Sequence, residues 1–330
     1  MTFIVVVFFA PIVVFGQDIH WSQFNDNPIF QNPANSGRFN GSYRFYANYR
    51  DQWRSVTVPF STFSVSADTK IEKVRGLGLG MLLFHDVAGD GRFRTVELQV
   101  SPSYNIKMDS DSIHNLRFGL QLGFNYRQMV YDNYYWDSQF DGVQYNPALP
   151  TNETFQTQKK MNFSTGIGMV YEWSISERKR IVAGVGLFNI NAPNQGFMGQ
   201  VIKRDRRVNF FAQGQFKIHD DWDIMPTMQL NFQGTYNEII FGSNVRYIFQ
   251  ERLDKYLAFY AGGFFRNKDS GYISVGADYK NWFAGISYDL NFSKLVPASQ
   301  VRGGIEFSLR YIINKIKPKN IYHRVCPDYI

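Results

Sequence analysis

The chain has 330 residues, carries a formal net charge of +7 and is 17% aromatic. A mean hydropathy of −0.30 and the lack of any run of 18 apolar residues after the N-terminus argue against a helical membrane protein. The positive charge raises nucleic acid as a partner, but no long basic run is present. Anionic lipid headgroups suit these charges better, so no nucleic-acid partner is predicted.

The first predicted element is the apolar run over residues 3–15, which is too short to span a bilayer and precedes a polar stretch. It is typical of a secretory signal peptide, residues 1–16, cleaved after Gly16, because Val14 and Gly16 suit the −3 and −1 positions. Cys326 is the single cysteine of the sequence. Neither a lipid-anchored mature N-terminus nor an internal disulfide is therefore expected.

Farther along the chain, apolar and polar residues alternate in segments of about ten residues separated by polar turns. In the segment 116–127 every apolar side chain falls on one face, so Leu120 is expected to face lipid and Gln121 the lumen. Aromatic residues crowd the strand ends, as they do at the two interfaces of a membrane. The pattern predicts an all-β fold, a transmembrane antiparallel up-and-down β-barrel over residues 42–314, with a water-soluble β-protein as the alternative.

About fourteen strands are predicted, an even number that leaves both ends of the barrel on one side of the membrane. The predicted strand centres are Tyr46, Ser64, Gly80, Gln99, Gln121, Ile167, Val185, Ala212, Met228, Asn244, Phe259, Val275, Ile286 and Phe307. Pro102 and Pro226 fall inside predicted strands. They are expected to mark bulges, or strand ends that are wrongly placed.

The lengths of the connections predict the orientation of the barrel. If the segment before it, residues 17–41, is periplasmic, the odd-numbered connections are outside and include the longest, Asp132 to Gln158. The inside connections are mostly shorter, as is usual in outer-membrane barrels. We therefore predict a bacterial outer-membrane protein with a periplasmic N-terminal segment and a periplasmic C-terminal tail, residues 315–330.

Several motifs occur in the order and at the positions that characterise a known family. They begin with the segment from Asp18 to Phe24 and end with Cys326-Pro327, after which the tail departs from the pattern with Asp328-Tyr329-Ile330. The motif residues are Asn32, Pro33, Ala34, Gly37, Tyr49, Arg50, Gln52, Trp53, Asp68, Asp86, Gly304, Glu306, Cys326 and Pro327. Together these matches resemble the PorP/SprF family of type IX secretion system membrane proteins.

The resemblance implies an outer-membrane barrel that assists secretion or surface attachment of partner proteins, such as gliding adhesins. The implied partners are a secreted protein or its C-terminal domain and other secretion-system subunits in the periplasm, besides outer-membrane lipid and lipopolysaccharide. A diffusion channel or small-solute transporter is the alternative function.

The longest loop contains the main candidate for partner binding. It mixes aromatic rings with carboxylates at Tyr134, Tyr135, Trp136, Asp137 and Phe140. Rigid aromatic anchors of this kind suit recognition of a polypeptide or a glycan, although the same rings would also suit a continuation of the aromatic girdle.

Three smaller sequence features each allow two interpretations. The side chains of Arg50, Arg54 and Trp53 suit either lipid headgroups or a partner, and Asn32-Pro33-Ala34 suits a turn that starts the first strand or a segment in the barrel mouth. The basic tail suits either a docking peptide or disorder.

Catalysis at the barrel rim is the weakest hypothesis. Of the five histidines only His85 falls in a predicted outer loop, beside Asp86 and near Asp90, which is too sparse for a catalytic or calcium site. No zinc-like spacing of histidine and cysteine occurs. We expect a protein that is not an enzyme and has no metal or cofactor.

Overall fold

The structure is a computed structural model that describes residues 18–54, 58–89, 91–131, 134–152, 158–197, 199–252, 255–293 and 296–314. The predicted signal peptide and the predicted tail lie outside these described residues. No helix among the described residues is long and apolar enough to cross a membrane.

Within these ranges the chain forms fourteen antiparallel strands, each paired with its neighbours in sequence, and β1 pairs with β14 to close the barrel. The strands are β1 Tyr43–Gln52, β2 Phe60–Lys70, β3 Leu77–Ala88, β4 Phe93–Lys107, β5 His114–Gln128, β6 Lys159–Ser176, β7 Lys179–Phe188, β8 Arg207–His219, β9 Trp222–Gln233, β10 Tyr236–Glu251, β11 Tyr256–Arg266, β12 Ser270–Tyr279, β13 Trp282–Asn291 and β14 Arg302–Ile313. The predicted all-β barrel is confirmed, and each predicted strand centre lies within one of these strands.

The two faces of the barrel have opposite chemistry, as alternation requires. On β5, Leu120 is 43% exposed on the outer face, whereas Gln121 is 3% exposed in the lumen. Large apolar side chains such as Phe63, Leu83 and Phe163 are exposed on the outside. Because an apolar exterior of this kind suits hydrocarbon rather than water, the predicted face assignment is confirmed.

The two prolines inside strands neither mark bulges nor misplace a strand end. Pro102 pairs with Leu79 of β3, and Pro226 pairs with Ser243 of β10. On their other sides the ladders to β5 and β8 lack pairs at these prolines but resume in unchanged register. Proline has no N–H to donate, so each strand loses a local ladder contact without a shift.

The lumen is occupied by the N-terminal segment, residues 18–37, which we call the plug. It contains a 3₁₀ turn at Phe24–Asp26, the short helix α1 at Pro28–Gln31 and a second 3₁₀ turn at Pro33–Asn35. A second short helix, α2 at Val296–Ser299, lies between β13 and β14.

The plug approaches all fourteen strands through hydrogen bonds, apolar clusters or close backbone contacts. The sequence predicts a separate periplasmic segment over residues 17–41. In the structure, residues 18–37 lie inside the barrel instead. Polar lumen side chains need partners, and the plug supplies them. The cellular side of each barrel end stays a prediction.

Candidate functional site

The plug is held at three places by buried polar contacts, and the first is Ser22. The Arg50 guanidinium of β1 donates to the Asp289 carboxylate at 2.8 Å and to the Glu306 carboxylate at 2.7 Å. The Ser22 hydroxyl donates to Asp289 at 2.8 Å, and the amides of Ser22 and Gln23 donate to Glu306 at 2.7 and 2.9 Å. Ser22 therefore joins a buried ion cluster that spans β1, β13 and β14.

Arg266 of β11 extends this cluster. Its guanidinium lies 3.2 Å from the Glu238 carboxylate, 3.3 Å from Asp289 and 2.8 Å from the Ser22 hydroxyl. The Tyr272 hydroxyl donates to the Ser22 carbonyl at 2.6 Å. Removing one member of a buried ion pair typically costs about 3–5 kcal/mol, because the other charge is left without a partner. The cluster therefore fixes where Ser22 sits.

The second place is the start of the plug. The Asp18 carboxylate accepts from Arg204 at 2.8 Å and lies 3.8 Å from Arg207, and Arg204 also donates to Glu97 of β4 at 3.1 Å. Burial opposes ionisation of Asp18, but the two arginines outweigh it and hold the pKa of this carboxyl below its usual range. Arg204 lies in the connection between β7 and β8, so this site ties that loop to the plug and the barrel wall.

The third place is the end of the plug. The Asp68 carboxylate of β2 accepts from the Gly37 amide at 2.7 Å and from Arg44 of β1 at 2.8 and 2.9 Å. Gly37 has a φ of 70°, and a Cβ there would lie 3.0 Å from the Gly78 Cα. Only glycine fits this position without strain.

The motif Asn32-Pro33-Ala34 lies between these places and packs against the barrel wall. The Asn32 side chain accepts from the Ala34 amide at 2.9 Å and donates to the Val185 carbonyl at 2.9 Å. A Cβ on Gly119 would lie 2.2 Å from the Ala34 nitrogen. The motif thus contacts the lumen wall. This agrees with the interpretation that places it within the barrel rather than in a turn that starts the first strand.

Four other family-motif residues lie in or next to strands near one rim. Gln52 pairs with Gly304 across β1 and β14, and Tyr49 of β1 has its hydroxyl 3.3 Å from the Asp51 carboxylate. The Trp53 ring packs edge-on against the Phe60 ring, with ring centroids 4.8 Å apart. These residues shape the rim rather than the plug.

Three further motif residues lie away from this rim and the plug contacts described above, or outside the described residues. Asp86 of β3 accepts from the Thr62 hydroxyl of β2 at 2.6 Å, a contact between neighbouring strands. Cys326 and Pro327 lie outside the described residues.

The plug separates two cavities at opposite ends of the barrel. One, of about 600 Å³, opens at the end where β1 begins and β14 ends. The other, of about 200 Å³, lies at the opposite end and is lined by His20, Trp53 and Glu238 among others. Asp26 borders the larger cavity, where burial raises its pKa to about 7 and Arg310 offsets this only in part.

The predicted partner-binding residues split into two groups. Tyr135 is 80% exposed and Phe140 is 57% exposed. Tyr134 is half-buried with its ring 6.0 Å from that of the half-buried Trp136, and its hydroxyl lies against Gly91. The structure therefore places Tyr135 and Phe140 outward and turns Tyr134 and Trp136 towards the protein. Their role in binding stays a prediction.

The tip of this loop is ordered by its own hydrogen bonds. Phe140 and Tyr145 form a β-bridge, and the Asp141 carboxylate between them accepts from the amides of Val143 and Gln144 at 2.9 Å. These bonds from Gln144 and Val143 lower the pKa of Asp141. Asp137, exposed, begins the adjoining 3₁₀ turn Asp137–Gln139. The exposed rings thus stand on a defined turn.

The histidines do not gather into a reactive site in the described part of the chain. His85 lies within β3 rather than in the loop predicted for it, and it faces outward while Asp86 faces the lumen. His114 stacks on Tyr171 and Trp173 at about the same centroid distances, 6.1 and 6.0 Å. Among the described residues no group of three or more His, Cys, Asp or Glu is placed to hold a metal.

Several lumen residues of the ion clusters were not predicted as site residues from the sequence. They are Asp18, Glu97, Arg204, Glu238, Arg266 and Asp289. A signal did exist, since Glu97, Glu238, Arg266 and Asp289 are charged residues at inward positions of alternating strands. The alternation does not show which residues these charges pair with.

Comparisons with known proteins agree with this architecture. No curated protein matches the chain. Among solved structures it is similar to the Pseudomonas putida toluene transporter TodX, with a TM-score of 0.53, 9% identity, and coverage of 86% of this chain and 92% of the other. It is also similar to the Ralstonia pickettii toluene transporter TbuX, with a TM-score of 0.50, 9% identity and the same coverage. A FadL homologue from Pseudomonas aeruginosa gives 0.50 at 10% identity, with coverage of 87% and 94%.

At such identities these likenesses show the fold alone, that of outer-membrane barrels. The family comparison is more specific, because the model for "Type IX secretion system membrane protein PorP/SprF" matches residues 13–311. That range includes the plug and almost the whole barrel. The chain belongs to the PorP/SprF family of type IX secretion system membrane proteins and is a protein of the bacterial outer membrane.

Proposed function

We propose that this barrel is a non-enzymatic component of the type IX secretion system that assists secretion or surface attachment of partner proteins, such as gliding adhesins. Family membership supports a role alongside the secretion machinery and its cargo in general. The proposal adds that the work is done through protein contacts on the barrel and not by transport through it.

The observation that carries this proposal is the plug. It approaches every strand, and its ends and middle are held by buried ion pairs and hydrogen bonds. A polypeptide in transit would have to displace all of these contacts. A barrel filled in this way is better suited to holding a partner at its ends than to passing one.

The loop tip offers a surface for such a partner. Tyr135, Phe140 and Val143 are 80%, 57% and 88% exposed, and Tyr145 packs against Tyr135 with ring centroids 4.8 Å apart. Exposed rings on a turn ordered by its own hydrogen bonds lose little entropy on binding, which is typical of interface hot spots.

The proposal is tested by deleting the gene and measuring surface display of secreted proteins together with uptake of small solutes. We expect display of one or a few proteins to be lost while uptake is unchanged. The lost proteins should then co-purify with the barrel from the native outer membrane.

The loop is tested with the double substitution Tyr135→Ala and Phe140→Ala. Buried aromatic anchors typically contribute about 2 kcal/mol or more, so we expect binding to weaken by roughly thirtyfold. Phe292→Ala is the matched control, because this ring, after β13, is 59% exposed and lies outside the loop. Equal binding by both variants would exclude the loop tip as the recognition surface.

A small-solute channel is the second candidate, favoured by the fold shared with toluene transporters and by the two cavities. If display of every secreted protein survives the deletion and solute uptake falls, the channel replaces the secretion role.

A further inference from the structure

The larger cavity, which we call the vestibule, has more cations than carboxylates in its lining. It holds about 600 Å³, within the range of ligand sites. Its cationic lining residues are Arg38, Arg44, Arg180, Arg246, Lys280 and Arg310. Its acidic lining residues are Asp26 and Asp278. Six cations against two carboxylates leave a formal excess of positive charge in a concave, partly enclosed space, where fields are focused.

Four of these cations already have acidic partners. Arg38 lies 3.6 Å from Glu172, Arg44 pairs with Asp68, Arg246 with Asp223, and Arg310 with Asp278 at 2.6 Å. They hold the wall of the vestibule together.

Arg180 and Lys280 differ from those four. Both are exposed, and neither takes part in a salt bridge with another described residue. Arg180 is the second residue of β7 and Lys280 lies in the turn between β12 and β13, so the two stand on different sides of the mouth. They are the cations most available to a ligand from outside.

The remaining wall supplies aromatic surface. Tyr46, Tyr256 and Phe283 line the vestibule, and the Arg310 guanidinium lies 4.8 Å from the Phe283 ring centre. A ligand that combines carboxylates with apolar side chains would therefore meet both kinds of partner.

We propose that the vestibule binds an acidic peptide segment of a protein partner, with Arg180 and Lys280 as its first contacts. The inference rests on the proposed function only in taking the ligand to be a protein segment. Cations spread over several strands and a turn match carboxylates spaced along a chain better than one small anion. The vestibule opens at the end that we predict to be periplasmic, where subunits of a secretion machine are accessible.

The chain's own tail does not match this surface in charge. Asn314 lines the vestibule, but residues 315–330 contain four lysine or arginine residues and only one acidic residue, Asp328. Like charges disfavour the tail as the occupant. This argues for an external acidic segment.

The test is calorimetric titration of the full-length barrel in detergent with a short amidated peptide of glutamates and phenylalanines. The same peptide with glutamine in place of glutamate is the ligand control. We expect the acidic peptide alone to bind, and its affinity to fall steeply as salt rises from about 0.05 M to about 0.5 M. Arg180→Gln with Lys280→Gln should weaken binding by about tenfold, since each removes an exposed charge contact.

Lys268→Gln is the matched protein control. Lys268 and Lys280 both lie in hairpin turns with positive φ, but Lys268 lines the smaller cavity at the other end of the barrel. Binding should be unchanged in this variant.

Three results would overturn the proposal: equal binding of the glutamine peptide, equal loss in Lys268→Gln, or displacement of the peptide by inorganic phosphate at similar concentrations. The last would show a site for small anions. Since purified protein is used, these outcomes are independent of surface display, and loss of display without peptide binding would leave the secretion role standing while excluding the vestibule.

Discussion

The contact between the plug and β5 can be tested with a single methyl group. In Gly119→Ala the new Cβ would lie 2.2 Å from the Ala34 nitrogen and 2.4 Å from the Pro33 carbonyl carbon. Ordinary van der Waals contact begins at 3.4 Å. These atoms are backbone, so the second 3₁₀ turn of the plug has to move by about 1 Å, because packed interiors cannot absorb such overlap.

The magnitude follows from what that movement disturbs. Overpacking typically costs about 1–3 kcal/mol. The displaced turn also loses the two hydrogen bonds of Asn32, to the Ala34 amide and the Val185 carbonyl, at about 0.5–1.5 kcal/mol each. We expect plug docking to weaken by about 2–6 kcal/mol in total, which raises the undocked population by about 30- to 20,000-fold.

The assay is conductance of the purified barrel in planar bilayers, combined with chymotrypsin cleavage at the buried residues Trp21 and Phe24. Gly119→Ala should show more frequent open events and faster cleavage. Gly263→Ala is the matched control, because a Cβ at this strand position meets nothing within 4 Å.

Glu306→Ala offers a second way to release the plug. It removes the acceptor of the Ser22 and Gln23 amides and of Arg50, at a cost of about 3–5 kcal/mol. If both variants matched Gly263→Ala in conductance and cleavage, the lumen would not be filled in the way described.

The remaining predictions concern the membrane. Leu120→Arg should destabilise the barrel by about 2–4 kcal/mol if residue 120 lies near the bilayer midplane, whereas the control Leu120→Phe should not. Stability is measured by thermal or denaturant unfolding in lipid, and equal stability of the two variants would contradict the lipid-facing assignment. Val143→Cys, 88% exposed at the loop tip, should react with an impermeant thiol reagent on intact cells when Cys326 is replaced by serine, and the native Cys326 should not react. The reverse pattern would invert the predicted orientation.

The fold could be predicted from the sequence because its main signal is local. Alternation along a strand decides which side chains share a face, so Leu120 and Gln121 are assigned to lipid and lumen without knowledge of any partner strand. Sequential antiparallel pairing then requires only short connections, and the strand centres follow from the turns between them. The consequences of Pro102 and Pro226 were not predictable in this way, since they depend on which neighbouring ladder loses a contact.

The candidate site needed the tertiary structure because its partners are far apart in sequence. Ser22 and Glu306 are separated by 284 positions, and Asp18 and Arg204 by 186. Alternation is consistent with inward positions for Glu306 and Arg50, but it does not say what meets them there. Arg50, expected at lipid headgroups or at a partner, is instead buried in the ion cluster of the lumen. The plug sequence has no helix-like or strand-like periodicity that would predict its position. Its position is decided by closure of the barrel, which brings inward charges from distant strands around one buried serine.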